Sequence, residues 1–372
     1  MKITKLAFYC CLLIPGSFLL ADCNTAVSRE KVPAFIDDDQ IEDYLTEERK
    51  RQKIACSVTK GGNRGKAIYV QDNRFDVYLA KGAVREAARS TAALISAAHL
   101  EKQGNDYVIN KNLTLQDAGW CASEPFASQP IMANCTAFLV DKNILVTAGH
   151  CLRPGAGQIV SLQDLYVVFG FQMNSKNQAQ TRFPASDVYR MKKELEVKKN
   201  QSEDWAVVEL DRPVVGRSIF DFEADEIVEG TGLTIFGYPN GLPLKIADGG
   251  MVKRNDYNKN IFATDLDSYQ GNSGSPVLNA EALKQGRFVV EGILVSGSVD
   301  ARNLEDCKVS VTCQSARINN PNGYCSGEMV TKINRVVAMG SEATSPLRQQ
   351  NPISDDNIRI EGLPDDLNIL LK

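Results

Sequence analysis

An all-β protein of two packed units is the fold class this sequence predicts, and three observations predict it. From about residue 89 onward, short runs rich in β-branched and aromatic residues recur between Gly, Pro, Asn and Asp: 136–140, 144–147, 165–171, 205–210, 233–236, 245–252, 276–278 and 288–295. Many short strands of this kind build a sandwich or a barrel. The 372 residues exceed what one hydrophobic core usually organises. No internal repeat and no alternation of strand with helix patterns supports a doubly wound sheet.

Taken in order, the chain begins with Lys2 and Lys5 ahead of an apolar run, 6–21, that Pro15 and Gly16 interrupt. That pattern predicts a signal peptide over 1–21. The run is short for a bilayer span and contains a helix breaker, so no membrane span is expected once it is removed. Lipidation at Cys23 is disfavoured because Asp22 stands where a small uncharged residue is wanted. Residues 22–84 are polar and charge-rich with little core of their own, and read either as a propeptide or as an arm packed on the main body. Helix is expected at 84–88 and at 329–337, and the charged run 192–199 reads as a solvated loop or short helix rather than an exosite. The segment 339–372, rich in Ser, Pro, Asn and Asp, reads as a flexible tail.

Composition narrows the function. A net charge of −4 gives no footprint for nucleic acid. Of ten cysteines, Cys10 and Cys11 leave with the signal; the eight that remain are an even set, which in an exported chain predicts disulfides. Eight half-cystines allow 105 connectivities. Cys307, Cys313 and Cys325 are read as staples of the C-terminal loops, the unpaired third reaching Cys121. There is no Cys-x-x-Cys, and His99 and His150 are the only histidines, so no metal and no cofactor is expected.

The chemistry is concentrated in two motifs, Thr147-Ala148-Gly149-His150-Cys151 and Gly271-Asn272-Ser273-Gly274-Ser275-Pro276. A serine hydroxyl is a poor nucleophile at neutral pH and needs a base in reach, with a third group holding that base in one tautomer. His150 is the candidate base; a bridge between Cys135 and Cys151 would clamp its loop. Asp204 leads directly into the apolar run 205–210, so it is the carboxylate best placed to be buried beside an imidazole, ahead of Asp187 and Asp211. Gly271 and Gly274 permit a tight turn around Ser273, in which the amides of Gly271 and Ser273 form an oxyanion hole.

His150, Asp204 and Ser273, in that order, resemble the trypsin/chymotrypsin-like serine peptidases over about residues 90–338. Asn272 and Ser275, with the stretches 236–243 and 291–295, look most like the bacterial and glutamyl-endopeptidase-type branch. The resemblance implies two perpendicular antiparallel β-barrels, 85–225 carrying His150 and Asp204 and 226–338 carrying Ser273, with the site in the cleft between them. It implies action on protein or peptide substrates; the signal peptide predicts a secreted or periplasmic protein, and a monomer is expected. Asn272 replaces the aspartate that in the family's zymogens pairs with a freed amine, so the site is expected to form without an inserted N-terminus. Asp267, six residues before Ser273, matches the base of the primary pocket and implies cleavage after Arg or Lys, with Ser268 beside it; Tyr269 replaces a bracing cysteine. No histidine matches the glutamyl-selecting pocket residue. Val295, Ser296 and Gly297 are the expected edge for substrate pairing. An inactive binding protein on the same scaffold is the alternative. An α/β-hydrolase is disfavoured because no histidine follows Ser273.

Overall fold

The computed structural model describes residues 32–48, 68–69, 72–155, 157–200, 202–222, 225–256, 259–313, 325–334 and 336. The expected signal at 1–21, the cysteines at 23 and 56, and the expected tail from 339 lie outside the described residues. Strands β1 (Ile68–Tyr69) and β2 (Arg74–Asp76) come before helix α1 (Gly82–Arg89). Six of the strands that follow belong together: β3 (Thr91–Ser96), β4 (Ala133–Asp141), β5 (Ile144–Thr147), β6 (Leu165–Phe169), β7 (Val188–Lys199) and β8 (Asp204–Leu210). They close into a barrel in the order β7-β8-β5-β4-β3-β6. Every pairing in it is antiparallel.

The next strands are β9 (Gly232–Gly237), β10 (Lys245–Asn255), β11 (Ile261–Thr264), β12 (Pro276–Asn279), β13 (Val289–Ser296), β14 (Thr312–Cys313) and β15 (Glu328–Lys332). All but β14 form the sequence β13-β12-β9-β10-β11-β15, and β15 returns to pair with β13, which closes a second antiparallel barrel. The all-β, two-barrel expectation is met. One upstream strand joins this second barrel, β2 pairing antiparallel with β10 with Asp76 opposite Lys245, while β1 pairs parallel with β14 in a separate two-stranded sheet.

Local sequence explains most of these elements. In α1, Val84, Ala87 and Ala88 are buried, the i, i+3, i+4 stripe of an amphipathic helix. In β8, Trp205, Ala206, Val208 and Leu210 are all within 1% of full burial, which accounts for the apolar run that follows Asp204. Two expectations are corrected. Residues 329–332 are strand, not helix, because they add two ladders at once, to β11 and to β13. The charged run 192–199 is the outer half of β7, paired along its length with β8. Bulges between Met191 and Lys193 and between Glu194 and Glu196 shift its register, which removes the period of two by which a strand is recognised.

Each barrel has its own apolar cluster, around Leu139, Val167 and Val208 in the first and around Ile235, Phe262 and Leu294 in the second. A third cluster lies between them. It joins Phe138, Val146 and Trp205 to Phe236, Leu278 and Ile293, and includes Ile36, Phe75, Val77 and Leu79 from the upstream segment. Phe75 is 1% exposed and stacks on Phe35. Its burial alone contributes about 1.5–3 kcal/mol.

Candidate active site

His150 sits on a 3-10 turn, Gly149–Cys151, directly after β5. A Cβ on Gly149 would lie 2.1 Å from the Lys198 carbonyl oxygen and 3.1 Å from Asp204 Oδ1, so glycine is what lets the turn approach the start of β8. Asp204 then grips the histidine twice. Its Oδ1 accepts from the His150 backbone amide at 2.8 Å, and its Oδ2 lies 2.8 Å from Nδ1. Because an ionised carboxylate only accepts, Nδ1 carries the proton and Nε2 is left with its lone pair, the tautomer a general base requires. Both side chains are about three-quarters buried. Cys135 and Cys151 are bonded to each other across the base of this loop. Their sulfurs and His150 lie within 4.8 Å of one another, but a disulfide offers no thiolate to a metal.

Ser273 is carried to the same place by its backbone. Its carbonyl oxygen accepts from the Thr136 amide at 2.8 Å and lies 3.7 Å from the Cys151 sulfur. Gly274 has φ +88°, and a Cβ there would meet the Thr136 carbonyl oxygen at 2.1 Å and Thr147 Oγ1 at 2.3 Å. The serine turn is therefore pressed against the strands that bear the histidine. The Ser273 hydroxyl and the imidazole are not hydrogen-bonded to each other; such contacts commonly tighten only when substrate is present.

Around the serine the amides separate into two sets. Asn272 N–H donates to Tyr269, Gly274 N–H to Leu294 and Ser275 N–H to Asn272, at 3.0, 2.8 and 2.8 Å. The amides of Gly271 and Ser273 have no acceptor among the described residues, and Gly271, at φ +95°, has its carbonyl fixed by Thr136 Oγ1 at 2.9 Å. Two unpaired amides in one tight turn form an anion-binding nest. Asn272 is buried and keeps its side-chain amide within its own loop, donating to Ser268 Oγ at 3.3 Å.

Asp267 is 2% exposed, and both of its oxygens are occupied: Oδ1 accepts from the Tyr69 amide at 2.7 Å and Oδ2 from the Asn73 amide at 2.6 Å. Burial, reinforced by nearby Asp72, pushes its carboxyl up to about 8 even though the two amides and Arg74 pull the other way. Val295, Ser296 and Gly297 run out of β13, the last two exposed. Facing them is a residue that sequence reasoning missed. Glu328, at the start of β15, is 2% exposed, and a Cβ on Gly297 would lie 1.8 Å from its Oε2. Glu328 Oε1 accepts from the Ser298 amide at 3.3 Å and from Tyr69 Oη at 3.4 Å. Burial, then the proximity of Asp300, holds this carboxyl well above the usual carboxylate range. Its signal in the sequence was a lone acid just ahead of the stretch 329–337 expected to be helical, so nothing there marked it as buried.

Residues 135–289 match the family model of the trypsin-like peptidase domain. Over that stretch, which is less than half of the chain, it is similar to trypsin-like peptidase domains. The match spans His150, Asp204 and Ser273, and it excludes β1, β2 and Glu328. None of the curated proteins matches the chain. Among solved structures, a Glu endopeptidase in complex with MPD is similar at 16% identity, covering 75% of this chain and 99% of that one with a TM-score of 0.41. Kallikrein-related peptidase 10 is similar at 14% identity, covering 70% of this chain and 98% of that one, with a TM-score of 0.39. Elsewhere Cys121 is bonded to Cys307 and Cys313 to Cys325, and no helix among the described residues is long and apolar enough to cross a membrane.

Proposed function

We propose that this peptidase is an exported, monomeric serine endopeptidase that cuts peptide bonds through an acyl-enzyme. Ser273 attacks the scissile carbonyl, His150 Nε2 takes the hydroxyl proton and returns it to the leaving amine, and Asp204 holds the imidazole and stabilises its cationic form. The amides of Gly271 and Ser273 receive the oxyanion. The observation that carries this reading is the Asp204–His150 contact of 2.8 Å on a loop packed against the serine turn, whose Gly271 and Ser273 amides are left without acceptors. Three disulfides support export, since such bonds persist in oxidising compartments. The division proposed is a signal at 1–21, an extension at 22–84, barrels at 85–225 and 226–338, and a tail at 339–372.

A fluorophosphonate probe should label the protein at Ser273, and Ser273→Ala should abolish the labelling. Asp204→Asn should lower kcat by roughly 10³–10⁴-fold, because the imidazole loses its tautomer. The alternative, an idle binding scaffold, draws on the missing hydrogen bond between serine and histidine. A folded protein that the probe leaves unmarked at pH 8 would establish it.

For specificity, Asp267 supports cleavage after Arg or Lys. Because its carboxyl is lifted to about 8, it is largely uncharged at neutral pH and ionises above it. The ratio of arginyl to neutral reporter cleavage should therefore rise between pH 7 and pH 9, and Asp267→Ser should remove that rise. Unchanged arginyl cleavage in the variant counts against Asp267 as the selector.

A further inference from the structure

The groups that hold Asp267 come from almost the other end of the chain, 198 and 194 residues upstream, and lie outside the peptidase-domain match. They belong to a short stretch fastened at both ends, β1 to β14 and β2 to β10. At the first position of β2, Arg74 is 3% exposed and bonded to Asp72 at 2.9 and 2.8 Å. Its guanidinium lies 4.3 Å from the ring centroid of Tyr269, inside the loop that leads from Asp267 to Ser273. Tyr269 is gripped from three further sides. Its hydroxyl donates to Ser310 Oγ at 2.6 Å, its ring meets Trp120 edge-on at 5.9 Å, and its carbonyl accepts from the Asn272 amide at 3.0 Å. With the Asn272 N–H committed to Tyr269, the amides on either side of it, those of Gly271 and Ser273, stay free for substrate.

We propose that β1, Asn73 and β2 form a built-in strap that sets the nucleophile loop, with Arg74 as its positioning residue, so that catalysis depends on this upstream stretch and needs no newly cut N-terminus. The inference rests on the serine peptidase reading. Buried ion pairs contribute little net stability compared with apolar residues of the same volume, so stability alone does not account for Asp72 and Arg74 beneath the loop. Geometry does: a fixed planar cation over an aromatic face, with two amides on the neighbouring carboxylate, clamps the start and the middle of the loop together.

The test uses the full-length chain. Asp72→Asn/Arg74→Met removes the cation over Tyr269 together with the charge of its hydrogen-bonded partner. If Arg74 positions the loop, kcat and the rate of fluorophosphonate labelling should fall about tenfold or more in protein whose near-UV circular dichroism is that of the parent, with KM moving less. Arg74→Lys, which keeps a cation, should recover part of the loss. A purely structural role predicts a lower Tm with kcat per folded molecule unchanged, and that result would overturn the proposal. Should the double variant not fold, Asn73→Pro, at an exposed position, withdraws only one amide from Asp267 and is read the same way: lowered kcat supports the strap and parental kcat overturns it. A parent that the probe fails to mark overturns the peptidase reading and the strap with it. A parent and variants marked equally fast overturn the strap alone.

Discussion

Gly274 shows how little room the site leaves for a single methyl group. Its φ of +88° and the 2.1 Å approach that a Cβ would make to Thr136 mean that Gly274→Ala combines backbone strain with overpacking, together about 3 kcal/mol or more. Denaturant unfolding should show a loss of that size, with labelling of Ser273 falling further than stability. A second residue-level expectation concerns Asp300, whose carboxylate accepts from the Gln270 amide at 2.6 Å. Burial lifts its carboxyl to about 6, against that amide and Arg74. A carboxyl whose folded value exceeds its unfolded one near 4 binds its proton more tightly in the native state. Its contribution to stability is therefore full below about 4 and is lost as pH rises through about 6. Wild type should lose stability relative to Asp300→Asn across that window; parallel melting curves from pH 4 to 7 would contradict it. At this scale the sequence was readable where a residue's neighbours in the chain are also its neighbours in space. Asp204, which contacts His150, was singled out from the apolar run beside it, and Ser273, the proposed nucleophile, from its flanking glycines. Glu328 and Tyr69 were not, because the groups that bury them are distant in sequence.

Elements were legible to the extent that they kept their period. Strands 144–147, 205–210 and 276–278 were found to within a residue or so, since buried barrel strands are uninterrupted apolar runs between turns. β3 was passed over, its Ala92 and Ala93 reading as helix formers although the pairings to β4 and β6 make it strand. β7 lost its alternation to bulges, and β15 owes its conformation to two partner strands rather than to its own residues. The histidine loop has a firmer local cause. Cys135 and Cys151 close a loop of 16 residues, and in the chain-entropy account such a closure contributes about 3 kcal/mol. Cys135→Ala/Cys151→Ala should lower unfolding free energy by about that amount, measured in urea without reductant. A loss under 1 kcal/mol would mean that the loop is held by the Asp204 and Thr136 contacts instead.

For the molecule as a whole, the cluster shared by the two barrels and the upstream segment makes that segment part of the folded body. Ile36, Phe75, Val77 and Leu79 would each leave an apolar gap if the chain were cut behind them. Mass spectrometry of the active protein should accordingly find a first residue no later than Ile36. Active protein starting after Ile36 would refute this. The order in which the parts become available adds a consequence of its own. Tyr69 is synthesised early, yet the carboxylate it binds at Asp267 and the strand it joins at Cys313 follow about two hundred residues or more behind. Contacts so far apart along the chain close late. A chain made only half-way thus has the strap but no serine loop for it to hold, and topology itself delays completion of the site until the residues around Cys313 are available.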